Sequence, residues 1–154
     1  VAPHTAMESP AWHQTGHNNW TSIMGGDGMQ IQVDSRNPEM VFTGFQFGNY
    51  FRIDRAKNKR TYIQPKHELG ESPLRFNWQT PILLSPHNQD ILYLGSNKLH
   101  RSMNQGDDWT SLSGDLTQGG IKGNVPYGTI TAIDESTAAF GTIVAGATKV
   151  GNSQ

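Results

Sequence analysis

Apolar and polar positions alternate along this chain in short runs rather than in long helical stripes. Met40–Thr43, Ile91–Leu94 and Thr142–Ala145 are rich in β-branched or aromatic residues, and each run closes on a glycine. Such runs predict strands. Before them stand Asp34-Ser35-Arg36-Asn37-Pro38, Ser85-Pro86-His87-Asn88 and Glu135-Ser136-Thr137. Asn, Asp, Ser and Pro favour tight turns, because they tolerate or preset the dihedrals a turn requires. No segment sustains a 3.6-residue apolar period, so almost no helix is expected.

The pattern also repeats. Ile31–Gly44, Ile82–Gly95 and Ile133–Gly146 align without a gap, with the isoleucines and the glycines each spaced 51 residues apart. The second unit predicts strands over Thr80–Leu84, Ile91–Gly95, Lys98–Met103 and Trp109–Ser113. The first predicts Met29–Val33, Met40–Phe45, Tyr50–Asp54 and Arg60–Gln64, and the third Thr129–Asp134 and Thr142–Ala147. Asn19–Ile23 reads as the last strand of a preceding unit. Four short strands in a period near 50 fit a β-propeller blade better than a helical solenoid. The expected fold is therefore all-β, a partial propeller of about three four-stranded antiparallel blades. Residues 1–154 form a fragment of one propeller domain: 17–28 end a preceding blade and lead in, 29–65 and 79–114 are blades, and 128–154 an incomplete blade. Ile31, Ile82 and Ile133 are expected to be buried alike on innermost strands.

Between the third and fourth strands of the second unit lies Ser102-Met103-Asn104-Gln105-Gly106-Asp107-Asp108-Trp109. Ser102 and Asn104 can hydrogen-bond backbone groups across a hairpin. Gly106 can take positive φ without steric cost, and Trp109 can bury a large ring between blades. The segment resembles the Asp-box, S-x-D-x-G-x-x-W, of the bacterial-neuraminidase-type repeat, with Asn104 where Asp is usual. The first unit reads Ile53-Asp54-Arg55-Ala56-Lys57-Asn58 at the corresponding place, without the Ser, Gly or Trp. Arg75-Phe76-Asn77-Trp78-Gln79-Thr80-Pro81, Ser113-Gly114-Asp115-Leu116-Thr117 and Tyr127-Gly128-Thr129-Ile130 are similar to phrases in large secreted bacterial proteins of the sortilin-like and glycosyl-hydrolase-like kind. That resemblance spans roughly residues 17–154. It implies the propeller superfamily and an extracellular or periplasmic setting, and leaves activity open. Ser102, Asn104, Gly106 and Trp109 are read as structural, and Asp107 and Asp108 as solvated turn residues.

Composition narrows the function classes. The chain has 154 residues, 34% of them apolar, and 17 glycines, which is globular rather than disordered. A net charge of −1 offers no basic field for nucleic acid, and no apolar run is long enough to span a bilayer. Cysteine is absent, which excludes disulfides and thiolate metal sites. The chain starts at Val1 and stops at Gln154 without a finishing element, so both ends read as cuts in a longer chain. The three blades are then expected to need partners, either the remaining blades of the propeller or a complementary fragment.

In a propeller the loops leading into the innermost strands gather at one mouth. Here these are Gly25-Gly26-Asp27-Gly28, Arg75-Phe76-Asn77-Trp78-Gln79 and Pro126-Tyr127-Gly128, with Asp27, Trp78 and Thr129 one repeat step apart. Asp27, Arg75, Asn77, Trp78 and Tyr127 are the candidate binding residues, for a carbohydrate or protein ligand. The plainer alternatives are a turn cap for Asp27, a space-filling ring for Trp78 and an ion-paired loop residue for Arg75. Glycoside hydrolysis needs two carboxylates. Asp27 alone falls at the mouth, while Glu68, Glu71, Asp134 and Glu135 do not, and Arg36, Arg75 and Arg101 do not carry sialidase motifs. Asp27 is thus a weak catalytic candidate, and a non-catalytic binding or structural module is expected ahead of a glycoside hydrolase. No metal or cofactor is expected: His13 and His17 flank Gly16 in a loop, and their i,i+4 spacing helps only on a helix. Asn19-Trp20-Thr21 fits a glycosylation acceptor only in a eukaryotic secretory setting.

Overall fold

A computed structural model of the protein describes residues 22–27, 29–117 and 128–148. Ten strands form three antiparallel sheets, with no helix among the described residues. The first sheet contains β1 (Gln32–Val33), β2 (Met40–Phe45), β3 (Asn49–Asp54) and β4 (Lys59–Tyr62). The second contains β5 (Ile82–Leu84), β6 (Leu92–Gly95), β7 (Leu99–Ser102) and β8 (Thr110–Ser111). The third contains β9 (Ile130–Glu135) and β10 (Ile143–Ala147). Each strand pairs with its neighbour in sequence, as short hairpins require. No helix among these residues is long and apolar enough to cross a membrane.

The strand register carries the repeat. Gln32 pairs with Phe42, Leu83 with Tyr93 and Asp134 with Val144; Val33–Val41, Leu84–Leu92 and Glu135–Ile143 follow at the same step. A one-residue slip would send every side chain to the opposite face. Beyond the next turn the step shortens by two residues, because the β6–β7 hairpin is tighter than β2–β3. Phe42 pairs with Arg52 and Tyr93 with Arg101, so the two arginines occupy corresponding places.

The sheets pack face to face in chain order. Phe42 and Tyr50 of the first sheet, with Ile63, meet Ile82, Leu84, Leu92 and Leu94 of the second. Each fully buried side chain of this kind contributes roughly 1.5–3 kcal/mol. The opposite face of the second sheet meets the third, where the Tyr93 hydroxyl donates to Glu135 Oε1 at 3.0 Å. Gly95 allows that approach, since a Cβ there would lie 2.7 Å from Ile130 Cγ2. The first strands are stitched by side chains: Gln30 Oε1 and Gln32 Oε1 accept the Ile82 and Leu84 amides at 3.1 and 3.3 Å.

Equal register did not bring equal burial. Ile82 is 2% exposed, but Ile31 is 50% exposed and Ile133 half-buried. The expectation that all three are core residues is therefore corrected. Ile82 lies in the core between the first and second sheets, whereas no described sheet covers the Ile31 side of β1. Ser22 and Ile23 are not in a strand, although Ile23 O accepts Arg60 Nη2 at 3.0 Å; positions 19–21 lie outside the described residues.

Candidate functional site

The lead-in loops and the β2–β3 and β6–β7 turns lie at one end of the sheets. Phe47, in the β2–β3 turn, has φ 60°, a region that non-glycine residues adopt at a cost. Its amide donates to Trp78 O at 3.2 Å, and Gln64 Nε2 donates to Phe47 O at 2.8 Å. So held, the ring stands edge-on to Trp78, with centroids 5.3 Å apart and planes at 83°. Both rings stay in solvent, 50% and 53% exposed. Below them Phe76 packs against the core and beneath Gly48, anchoring the loop that carries Trp78.

Amide side chains adjoin both rings in sequence, and one of them reaches a carboxylate. Gln46, adjacent to Phe47, donates through Nε2 to Asp27 Oδ2. Asp27 also lines a shallow cleft of about 280 Å³ with Ile23, Met24, Met29 and Ile31. Asn77 Nδ2 donates to Thr129 Oγ1 at 3.0 Å, and its Oδ1 accepts the Gln79 amide at 3.0 Å. This ties the Trp78 loop to the start of the third sheet.

Arg75 is an internal fastener. Its Nη2 donates to Asp115 Oδ2 at 2.6 Å and to Thr117 Oγ1 at 2.9 Å, while its amide donates to Asn97 Oδ1 at 3.0 Å. Burial pushes the Asp115 carboxyl up, but hydrogen bonds from Thr117, Arg75 and Asn97 outweigh it and hold the group below its ordinary range. Tyr127 lies outside the described residues, as do His13, His17 and Asn19-Trp20-Thr21.

The remaining acids are engaged elsewhere. Glu71 pairs with Lys98 at 2.7 Å, and Asp134 Oδ1 accepts the Glu135 amide. Glu68 lies with Lys66 and His67 along a separate cleft beside Trp109. Glu135 is 2% exposed and accepts from Tyr93 and from the Gly141 amide. Burial raises its pKa, but donors including Ser85, Gly141 and Tyr93 prevail and lower it. Among the described residues Asp27 is the one carboxylate lining its cleft, and no group of three or more His, Asp or Glu is placed to hold a metal. Arg36 pairs with Asp34 and Asp90 at the opposite end from Arg75, so the arginines form no cluster.

The Asp-box-like turn sits at that opposite end. Ser102 Oγ accepts the Asn104 and Gly106 amides at 3.3 and 2.8 Å, and Asn104 Oδ1 accepts the Asp108 amide at 2.9 Å. Gly106 has φ 94°, and a Cβ there would meet Ile63 Cβ at 2.7 Å. Trp109 packs against the core and donates through Nε1 to Ile63 O at 2.7 Å, crossing to the first sheet. Asn104 Nδ2 donates to Asp108 Oδ2 at 2.9 Å, a bond an aspartate could not make. Asp107 is not merely solvated, since it pairs with Arg52 at 2.9 Å.

Phe47 was missed by sequence reasoning. The signal was Phe45-Gln46-Phe47-Gly48, an aromatic in the tightest part of a hairpin, where turn residues are expected. No family model, curated protein or solved structure matches the chain.

Proposed function

We propose that this chain is a non-catalytic binding module, part of a β-propeller in a larger exported protein, with its ligand surface at the lead-in end of the sheets. The observation that carries the reading is the exposed Phe47–Trp78 pair, one ring held in a strained backbone conformation. Strain of this kind costs on the order of 1–3 kcal/mol and is retained where the surroundings impose it, frequently at functional positions. Two solvent-facing rings next in sequence to Gln46, Asn77 and Gln79, with Asp27 bonded to Gln46, suit a carbohydrate chain, whose flat C–H faces stack on aromatics while its hydroxyls meet amides and a carboxylate. The same 51-residue step in sequence and in strand register supports the propeller. The resemblance to Asp-box proteins supports the exported setting.

The alternative, part of a glycoside hydrolase, would need a second acid beside Asp27, and the described residues offer Asp27 alone in its cleft. Calorimetric titration with a panel of oligosaccharides tests the choice. Binding that Trp78→Ala or Phe47→Ala weakens at least tenfold, without any release of sugar, is the expected result. Hydrolysis that Asp27→Asn abolishes would establish the enzyme instead. Binding indifferent to both rings would remove the platform from the reading.

A further inference from the structure

Charge is not spread evenly over this chain. Residues 52–60 hold Arg52, Arg55, Lys57, Lys59 and Arg60, five of its 12 Lys and Arg, against one acid, Asp54. A chain of net charge −1 thus carries +4 on the β3–β4 hairpin. The corresponding turn of the second sheet, Asn104–Asp108, is held by Arg52 and lies through Gly106 against Ile63. In the first sheet, by contrast, residues 55–60 are all exposed, and β4 is the edge strand. Side chains alternate along a strand, so Lys59 and Arg60 point to opposite faces. Lys59 lines a cleft of about 420 Å³ in which each acid has its own cation: Asp54 with Lys57 at 3.2 Å, Asp90 with Arg36 at 2.7 Å and Asp107 with Arg52 at 2.9 Å. On the other face Arg60 and Arg55 line a cleft of about 260 Å³, where Glu39 lies 3.9 Å from Arg55. Arg60 donates to Ile23 O, and neither Lys59 nor Arg60 forms an ion pair among the described residues. Unmatched cations gathered on one exposed edge attract an anionic partner.

The same edge leads to the ring pair. Beyond Arg60 on β4 stands Tyr62, 45% exposed, with its hydroxyl 2.7 Å from Gln64 Oε1. Gln64 Nε2 donates in turn to Phe47 O, in the turn whose ring stands against Trp78. The six residues of β3, about 17 Å of strand, separate that turn from the basic one. An exposed aromatic and an amide therefore lie between the rings and the cations. We infer that the ligand is an anionic polysaccharide, resting on Phe47 and Trp78 at one end and running along the β4 edge so that its sulfate or carboxylate groups reach Lys59 and Arg60. This rests on the carbohydrate reading given above and adds the ligand's charge and the direction of its chain. Ammonium and guanidinium groups both take such anions, the guanidinium through a paired fork of donors. Tyr62 on the path favours a sugar over an acidic peptide, which offers no flat C–H face to the ring.

The test measures binding of the 154-residue chain to dextran sulfate, polygalacturonate and neutral dextran, with polyglutamate as a polyanion that is not a sugar. At least one of the two anionic polysaccharides should bind roughly tenfold more tightly than dextran, with an affinity that falls as salt rises. Reversing both charges, Lys59→Glu with Arg60→Glu, should weaken that binding by roughly tenfold or more, whereas Lys59→Arg with Arg60→Lys should retain it. Trp78→Ala should weaken it as well, because the rings and the cations hold one chain. Anionic and neutral polysaccharides bound equally, or binding indifferent to the charge reversal, would overturn the inference and leave the binding-module reading standing. Polyglutamate bound as tightly as the anionic polysaccharides, and indifferent to Trp78→Ala, would overturn it too, since charge alone would then suffice. No binding of any saccharide, charged or neutral, would overturn the carbohydrate reading and the inference with it.

Discussion

The two ends of the sheets share polar fastenings but differ in emphasis. At the turn end, polar groups close on one another. Arg36 bridges Asp34 at 2.9 Å and Asp90 at 2.7 Å, Gln105 Nε2 reaches Asp34 Oδ2 at 3.2 Å, and the Ser35 amide donates to Gln89 Oε1 at 3.0 Å. Asp34 is only 3% exposed, yet the Arg36 hydrogen bonds hold its carboxyl below the ordinary range against the effect of burial. At the lead-in end, two large rings stay in solvent and a phenylalanine occupies positive φ. One end spends its polar groups fastening the first unit to the second. The other leaves two large rings in solvent, and they form the surface on which the proposed binding function rests.

The largest expected effect lies at the turn end. Gly106→Val forces a β-branched residue into positive φ and drives its Cβ into Ile63. Strain and overpacking together should cost roughly 4 kcal/mol, measured by urea unfolding. A loss below about 1 kcal/mol, the size of an ordinary surface change, would mean that the turn is not rigid and that the contrast between the ends is overstated.

The next effect separates the ends by pH. His100 is buried beside the β6–β7 turn, with Nε2 2.8 Å from Ser96 Oγ and Nδ1 3.2 Å from Ser111 Oγ. Burial first, and the Lys98 charge second, push its pKa down to about 4. The unfolded chain takes up the proton near the ordinary value of about 6.5 and the folded chain does not. Stability from neutral His100 is therefore present above pH 6.5 and lost as pH falls toward 4, by at most about 3 kcal/mol. Asp34 is ionised in both states over that window, so its contribution begins to fall only as pH drops through the ordinary Asp range. Amide exchange should thus loosen around Leu94 and Leu99 before it loosens around Asp34 and Gln105, and His100→Gln should flatten the pH profile between 6.5 and 4. Simultaneous loosening at both ends would erase the distinction.

The smallest effect on stability should come at the aromatic pair. Phe47→Gly removes a half-exposed ring and relieves positive φ, so the two changes nearly offset and the net shift should stay within about 1 kcal/mol. Binding, by contrast, should fall with the ring. A variant that loses several kcal/mol of stability would place Phe47 among the structural residues of the turn end.

Much of the architecture was legible in the chain. Strand positions, the 51-residue step and the geometry of the Ser102–Trp109 turn depend on alternation, turn chemistry and a glycine at positive φ, and all of these act within one unit. That is why Met40–Phe45 emerged with its bounds intact and Gly106 with its conformation. Burial did not follow, because whether Ile31 or Ile82 is covered depends on which sheet packs against it, and equal register carries no such information. The ion-paired reading of Arg75 agrees with the structure, but its partners went unread: Asn97, Asp115 and Thr117 lie more than twenty positions away in the chain. Phe47 beside Trp78 was invisible for the same reason. Local sequence determined the strands, the repeat and the turn, since short-range sterics and hydrogen bonds decide them. Only the packing of one sheet on the next decided which side chains are buried, which are paired and which are left facing solvent.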